Sequence, residues 1–310
     1  MKALIARSYG PLEDLEFADV PAPAPGPGQL LVRLQATSLN AVDKVLITGA
    51  MRDALPVQHP FVPGVDVSGV VEAVGENVTR FSTGDAVIAW NSVTAGALAE
   101  YIVINDAPSV ALRPAGLTPA QGAALPTGAL TAAALLDAVR VDEGGSVLIV
   151  GAAGGVGSFT VQLAKQAGLT VLATGRADDE PFLRRLGADH VLDYRDVDIA
   201  QEAHRLADGG VDAVIDLANA GPALAATAAA AKTGGQLVSP LGGPSAFERG
   251  VTAVYTGTRT PKGRLEELAA KAADGRLSLE IDSDYAFGQA DQALVDFASK
   301  HVRGKVTVTF

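Results

Sequence analysis

A glycine-rich turn between an apolar run and a helix-like segment constrains this chain more than any other feature. The run Val147–Val150 continues without a polar break into Gly-Ala-Ala-Gly-Gly-Val-Gly at residues 151–157, and the segment Val156–Ala167 then has helical character. Such an apolar run indicates a strand buried on both faces. Glycines before a helix let a phosphate approach the backbone and the N–H groups of the helix start. We therefore predict a dinucleotide-binding strand–turn–helix unit.

The turn departs from the usual pattern at one position, because Ala152 replaces the first of the usual glycines. The surrounding strand and helix are still in the order that dinucleotide binding requires. The residues of the turn that we expect to contact the cofactor are Ala153, Gly154, Gly155, Val156 and Gly157.

Composition narrows the class of protein. The 310 residues suffice for two domains, and no apolar run approaches the roughly 18 residues that cross a bilayer. A net charge of -11 disfavours binding to nucleic acid or to anionic membranes. Because the chain has no cysteine, disulfides, thiol catalysis and cysteine-ligated zinc are excluded. The charge at Arg7 marks the N-terminal run as a strand, not a signal peptide. We expect a cytoplasmic enzyme with no nucleic-acid or membrane partner.

Composition also divides the chain into segments. Residues 1–115 contain short alternating runs separated by proline and glycine, which predicts a β-rich, partly open barrel. Residues 116–261 alternate apolar strands with alanine-rich helices, one of them expected at Ala223–Ala231. Residues 262–310 end in the apolar strand Lys305–Phe310, which we expect to pair back into the first domain. The middle segment would then be an insertion.

The middle segment predicts a doubly wound parallel sheet with strand order 3-2-1-4-5-6. Its six predicted strands are Ser146–Val150, Thr170–Thr174, His190–Tyr194, Val211–Leu217, Gln236–Leu241 and Val251–Thr256.

Motifs along nearly the whole chain resemble the zinc-free medium-chain dehydrogenases/reductases of the quinone oxidoreductase (zeta-crystallin-like) family. The matching segments are Ser38–Asp43, Pro63–Val71, Ala123–Pro126, Leu130–Ala132, 151–157, Leu186–Asp189, Leu192–Arg195 and Arg303–Val306. The resemblance implies a Rossmann domain at 116–261, inserted in a GroES-like catalytic domain of residues 1–115 and 262–310. It also implies a homodimer, with the sixth strand of the Rossmann sheet as one route of contact.

Departures from the zinc-dependent branch of that family bear on the reaction. Asn40 stands where that branch has a cysteine ligand, and Val65 stands where it has a histidine ligand. The four histidines, His59, His190, His204 and His301, lack ligand spacing. We therefore expect no zinc, and unactivated alcohols lose the Lewis acid that they need. Quinones and α,β-unsaturated carbonyls delocalise the charge that hydride brings, and hydrogen bonds can stabilise the remainder.

The end of the second strand of the sheet bears on the choice of nicotinamide cofactor. An acid there would bind the adenosine ribose of NAD, but the chain has Gly175 and Arg176. Arg176 could hold a 2'-phosphate by charge-assisted hydrogen bonds, and the resemblance places Tyr194 beside the same phosphate. Arg176 could also be a solvated surface charge. Asp178 or Asp179 could turn inward and favour NAD. NADPH is the preferred prediction and NADH the alternative.

The resemblance also supplies candidates around the nicotinamide. It places Thr131 under the ring, with Leu241 and Gly242 bordering the ring by backbone contacts. Thr131 could instead be a buried hydroxyl that bonds its own helix.

No catalytic residue is certain, and the candidates for the substrate cleft are Asn40, Asp43, Thr131 and Tyr255. The Asn40 amide could orient substrate or water, or it could cap a helix starting near Ala41 with Asp43 in its first turn. Tyr255 could reach the pocket or pack in the core. The predicted function is NADPH-dependent, zinc-independent hydride transfer to a quinone or enone. The alternatives are an enoyl-thioester or enal reductase of the same fold, and a non-catalytic NADPH-binding sensor.

Overall fold

The computed structural model describes residues 1–92 and 96–310. The strands, in chain order, are β1 Lys2–Ile5, β2 Glu16–Asp19, β3 Gln29–Ser38, β4 Asp66–Val74, β5 Ala86–Trp90, β6 Tyr101–Asn105, β7 Val110–Leu112, β8 Ser146–Val150, β9 Thr170–Gly175, β10 His190–Asp193, β11 Val211–Asp216, β12 Ala231–Ser239, β13 Thr252–Tyr255, β14 Ile281–Ala286 and β15 Lys305–Thr309. The helices are α1 Ala41–Thr48, α2 Pro119–Ala124, α3 Pro126–Ala138, α4 Gly155–Gln166, α5 Glu180–Leu186, α6 Ile199–Leu206, α7 Leu224–Ala228, α8 Arg264–Ala273 and α9 Ala290–Ser299. Within the described ranges, no helix is long and apolar enough to cross a membrane.

The chain forms two compact units. Unit 1 consists of Met1–Thr127 and Thr260–Phe310, and unit 2 consists of Gly128–Arg259. The first segment of unit 1 extends past the predicted boundary at residue 115, because α2 packs on β3 and β4.

Unit 2 is a parallel sheet with the strand order β10-β9-β8-β11-β12-β13. This order is the predicted 3-2-1-4-5-6. Alternate residues of β8 enter separate cores: Val147 and Ile149 join one cluster, and Leu148 and Val150 join the other. A strand buried on both faces needs apolar residues at every position, which explains the unbroken apolar run in the sequence.

The predicted helix at Ala223–Ala231 is wrong in extent. The α-helix covers only Leu224–Ala228, and β12 begins at Ala231. Val211 of β11 donates its N–H to Ala230 O and pairs with Ala231. Sheet pairing therefore overrides the helix preference of alanine at the end of this run.

Unit 1 contains a sheet with the order β14-β15-β3-β4-β5-β7, in which β6 also pairs with β3, and a separate β1–β2 hairpin. β15 pairs antiparallel with β3, with Thr307 opposite Ser38. The predicted return of the last strand to the first domain is therefore confirmed. This pairing also brings Lys305, at the start of β15, to the end of β3.

The outer edge of β13 is partly covered by the loop that precedes it. Ala253 donates its N–H to Ser245 O at 2.9 Å, and Phe247 donates its N–H to Val251 O at 2.8 Å. β13 is the edge strand that the resemblance offers as a dimer contact, so part of its hydrogen-bonding capacity is used within the chain.

Candidate functional site

The glycine loop follows β8, which is flanked by β9 on one side and β11 on the other. This position is the switch point at which doubly wound sheets bind ligands. Gly151 has a φ of 78°, a left-handed conformation that favours glycine, and it donates its N–H to Thr174 Oγ1 at 3.1 Å. Gly154 is the N-cap of α4 and offers no side chain to the N–H groups of the first turn. Those groups can therefore bind an anion.

The loop also shows why glycine is required at its end. A Cβ on Gly157 would lie 2.6 Å from Ala152 Cα and would also overlap Gly151 O. Among the residues that the structure describes, a Cβ on Gly154 would meet only Gly151 O, at 3.6 Å. Gly157 is thus needed for packing of α4 against the loop, whereas Gly154 leaves an open, partly exposed surface. Such a bare turn at a helix start fits the diphosphate of a dinucleotide.

Arg176 and Tyr194 lie side by side where β9 and β10 end. Asp193 of β10 is paired with Gly175 of β9, and Tyr194 donates its N–H to Gly175 O at 3.3 Å. Arg176 donates from Nε to Tyr194 Oη at 3.2 Å. The phenol is 48% exposed. The structure thus joins a cation and a phenol at the strand end where doubly wound folds recognise the adenosine ribose.

The acids near this strand end are committed to other contacts. Asp179 is fully buried and accepts the Arg176 N–H at 2.8 Å, so its carboxylate is directed at the turn. Asp193 accepts the Ala177 N–H at 2.7 Å and the Arg195 guanidinium at 3.2 Å. The hydrogen bond from Arg195 lowers the pKa of Asp193 to about 2.

The loops after β11 and β12 are joined to each other. Gly221 donates its N–H to Gly242 O at 2.9 Å, and Leu241 donates its N–H to Ser239 Oγ at 3.0 Å. Gly242 has a φ of 60°. Asp216, fully buried at the end of β11, accepts hydrogen bonds from the next residues of its own loop, Ala218 and Asn219. Both loops are therefore held in defined conformations at the carboxyl edge of the sheet.

Thr131 lies on α3 and is 5% exposed. Its Oγ1 is 2.7 Å from Thr258 Oγ1, and either hydroxyl can be the donor. The Thr131 hydroxyl therefore bonds the segment after β13, whereas the alternative from the sequence was a hydrogen bond to its own helix. One hydroxyl of such a pair keeps a proton that it can donate elsewhere.

Tyr255 is held by the loop that follows β12. Its Oη donates to Pro244 O at 2.6 Å, two residues after Gly242. Burial raises the pKa of the phenol, so the group stays a neutral donor. The Tyr255 proton is thus already used to hold a loop.

Asn40 occupies the N-cap position expected from the sequence, but its side chain does not cap the helix. It is the N-cap of α1, as predicted, but its backbone N–H is bound by Asp43 Oδ2 at 2.8 Å and its amide side chain points elsewhere. Asn40 Nδ2 donates to Asp66 Oδ2 at 2.9 Å and to Ser38 O at 3.2 Å. Asn40 Oδ1 accepts from Lys305 Nζ at 2.6 Å. Both amide hydrogens and one oxygen lone pair are therefore occupied.

Asp66 is the central acceptor of the hydrogen-bond network formed with Asn40 and Lys305. It was not identified from the sequence, although it lies in a segment that matches the family. It is fully buried and receives donors from Ser38, Asn40, Thr127 and Lys305. The signal in the sequence was an acid inside a largely apolar run at residues 63–71.

Asp43 is also fully buried. Its two oxygens accept the N–H groups of Asn40, at 2.8 Å, and Gly64, at 3.0 Å. Burial raises the pKa of Asp43 to about 7, and the nearby Asp66 adds to the increase. Asp43 therefore acts within the fold of unit 1, where it holds the start of α1 against the turn at Gly64.

The zinc-ligand position at Val65 is buried and apolar. Across residues 1–92 and 96–310, no three His, Asp or Glu side chains come together as a group that could hold a metal ion.

Comparisons with known proteins agree with both units. The sequence-family model of the alcohol dehydrogenase GroES-like domain matches residues 26–114. The sequence-family model of the zinc-binding dehydrogenases matches residues 186–308. A chloroplastic quinone oxidoreductase of Triphysaria versicolor is 33% identical over 99% of this chain and 98% of its own.

Solved structures extend this likeness to the whole fold. A quinone oxidoreductase from Coxiella burnetii superposes with a TM-score of 0.89 at 29% identity, covering 100% of this chain and 99% of that one. A mycobacterial protein in complex with NADPH gives a TM-score of 0.88 at 29% identity, covering 100% of both chains. The match therefore includes the Rossmann sheet and the domain into which it is inserted.

Proposed function

This chain belongs to the zinc-free quinone oxidoreductase family of the medium-chain dehydrogenases/reductases, and on that basis we propose that it is an NADPH-dependent, zinc-independent reductase of quinones or α,β-unsaturated carbonyls. Its oxidoreductase class follows from the family. The contact of Arg176 with Tyr194 beside the glycine loop carries the choice of NADPH. The structure of a relative with NADPH supports the same choice.

Bound NADPH would supply hydride to the acceptor. We assign the diphosphate to the turn formed by Ala153, Gly154, Gly155, Val156 and Gly157, and the 2'-phosphate to the region of Gly175, Arg176 and Tyr194. A phosphate accepts well from a guanidinium, because that group presents several N–H donors in one plane. The hydrogen bond to Tyr194 Oη holds the Arg176 side chain in this region.

At the nicotinamide end, we assign Thr131 to the carboxamide, and Leu241 with Gly242 to the ring border. The Tyr255–Pro244 hydrogen bond supports this assignment, because it holds the loop that contains Leu241, whose side chain is 42% exposed. Fixed loops reduce the ordering that binding requires.

We infer the acceptor class from the residues at the former zinc-ligand positions, because the amide of Asn40 and the buried apolar side chain of Val65 are not zinc ligands. A quinone or enone spreads the incoming negative charge over its conjugated system, so hydrogen bonds can supply the remaining stabilisation. The test is a steady-state screen of NADPH oxidation against quinones, enones and enals. We expect turnover with at least one conjugated acceptor. NADPH binding without oxidation by any acceptor would instead favour the sensor alternative.

We also propose a homodimer. β13 offers an edge for pairing with a second copy, but the Ala253 N–H is already bonded to Ser245 O, so strand pairing would have to replace that contact. Light scattering tests this directly, with an expected mass of about twice 31.5 kDa. Cytoplasmic location stays a prediction from the sequence, since the Triphysaria relative is a chloroplast protein by name.

A further inference from the structure

A buried charged network surrounds Asn40 and has no assigned role. Lys305 is 2% exposed, and its Nζ lies within hydrogen-bonding distance of Leu39 O at 3.1 Å, Asn40 Oδ1 at 2.6 Å and Asp66 Oδ2 at 3.3 Å. An ammonium has three hydrogens, so these three acceptors satisfy it completely. A buried lysine with all its hydrogens directed inward serves the interior of the protein, not the solvent.

Asp66 uses its two oxygens for two different parts of the chain. Oδ1 accepts the backbone N–H of Thr127 at 2.9 Å and the Thr127 hydroxyl at 2.6 Å. Oδ2 accepts the Ser38 hydroxyl at 2.6 Å, Asn40 Nδ2 at 2.9 Å and the Lys305 ammonium at 3.3 Å. The first turn of α3 thus fixes the carboxylate, and the fixed carboxylate in turn holds Asn40.

These contacts allow only one orientation of the Asn40 amide. A rotation by 180° would bring Nδ2 against the Lys305 ammonium, where two donors would face each other, and Oδ1 against the Asp66 carboxylate, where two acceptors would face each other. The network therefore decides which atom of the amide is on each side. Asn40 is the residue at the lost zinc-ligand position and is still 8% exposed.

We propose that Asp66 and Lys305 are positioning residues of the reductase, which lock the Asn40 amide in a single orientation. In that orientation both amide hydrogens are occupied, and only the remaining lone pair of Oδ1 can bind a further group. Asn40 therefore acts toward substrate as an acceptor only, for the hydroxyl of a bound water or of a reduced quinone. The catalytic part of this inference rests on the proposed function.

A purely structural role would not require this arrangement. Buried ion pairs can often be replaced by apolar residues without loss of stability, because desolvation of the two charges offsets their attraction. Removing one partner alone is destabilising, since it leaves a buried charge without compensation. Stability and catalysis should therefore respond differently when one or both charges are removed.

The test compares D66N, K305M and the double variant D66N/K305M with the control T307V. The amide introduced by D66N would keep an oxygen for Thr127, but its nitrogen would face Asn40 Nδ2 and Lys305 Nζ, which are both donors. Thr307 is also buried on β15, and its hydroxyl bonds Asp284 Oδ1 at 2.6 Å, outside the network. T307V thus removes a hydrogen bond from the same strand without touching Asn40.

We expect D66N to lower kcat by about 10- to 100-fold, the scale of a small misplacement in an active site. Both single variants should lower the melting temperature, and the double variant should recover part of that loss while its kcat stays low. T307V should keep the kcat of the unmodified protein. If kcat instead recovers with stability in the double variant, the role is structural and the proposal is wrong.

A second readout does not depend on activity. In protein labelled with 15N-asparagine, the side-chain hydrogens of Asn40 should exchange slowly, and D66N should accelerate that exchange by at least about tenfold, because the fixed acceptor is lost. Rapid exchange in the unmodified protein would overturn the locked orientation. If none of the tested acceptors allows the unmodified protein to oxidise NADPH, the proposed function is wrong. If kcat in D66N equals that of the unmodified protein, only the positioning role is wrong.

Discussion

The guanidinium of Arg176 and the phenol of Tyr194 form a hydrogen bond at 3.2 Å across the ends of two adjacent strands. The two residues are well separated in the sequence. The pairing of β9 with β10 brings their side chains together. We predict that R176A lowers kcat/KM for NADPH by about 10- to 100-fold and changes that for NADH little, since a hydrogen bond to a charged group contributes about 1.5–3 kcal/mol.

The control for that experiment is R184A, which removes an exposed arginine of the same unit paired with Glu180. R184A should leave kcat/KM unchanged for both NADPH and NADH. Equal losses with NADPH and NADH in R176A would show that Arg176 does not recognise the 2'-phosphate.

The glycine loop offers a matched pair of substitutions. G157A places a Cβ 2.6 Å from Ala152 Cα, so the loop and α4 must separate, and we expect a loss of at least about 2 kcal/mol of stability. G154A has room within the protein, with its nearest neighbour at 3.6 Å, but its methyl group faces the predicted diphosphate.

G154A should therefore keep its melting temperature within about 2 °C and bind NADPH at least about tenfold more weakly, as measured by fluorescence titration. Unchanged NADPH affinity in folded G154A would argue against a diphosphate at this turn.

The Tyr255 hydroxyl is bonded to Pro244 O, so we predict that it holds a loop and does not transfer a proton. Y255F should keep kcat within about threefold while KM for NADPH rises a few-fold, as the loop needs more ordering on binding. Removal of a general acid would instead lower kcat by about 10²- to 10⁴-fold. A drop of that size, together with an altered pH profile, would make Tyr255 a catalytic acid.

Asp43 gives a dependence of stability on pH. Burial raises its pKa from 3.8 to about 7 in the folded protein. Well below the ordinary pKa of 3.8 the carboxyl is protonated in both states and no penalty arises. As pH rises toward 7, the unfolded chain loses the proton first, so the free energy of unfolding decreases, by about 4 kcal/mol in total. Well above the folded pKa of about 7 the carboxyl is ionised in both states and the penalty is constant.

The measurement is urea unfolding of D43N and of the unmodified protein between pH 4 and 8. The stability of the unmodified protein relative to D43N should fall across this range, because the variant lacks the titrating group. D53N, which changes an exposed aspartate of unit 1, is the control and should follow the unmodified protein. A difference between D43N and the unmodified protein that does not vary with pH would contradict the raised pKa.

The strand order of unit 2 was predictable because strands alternate with helices along this part of the chain, and the central strand β8, buried on both faces, leaves an unbroken apolar run in the sequence. The side-chain contacts of Asn40 and Asp66 were not predictable. A sequence shows that an asparagine precedes a helix, but it does not show that Lys305, far along the chain, lies against its amide oxygen. The prediction of a helix at Ala223–Ala231 was wrong in extent for a related reason, because the pairing of Ala231 with Val211 is a long-range contact.

The most direct test of the central claim is NADPH oxidation by protein dialysed against a chelator, with metal content measured on the same sample. A simple quinone is the acceptor, and the decrease in absorbance of NADPH is followed. We predict that kcat/KM is unchanged by chelation when less than about one-tenth of the molecules carry zinc, because conjugation in the acceptor replaces the Lewis acid. Loss of activity on chelation, with recovery on addition of zinc, would contradict the account.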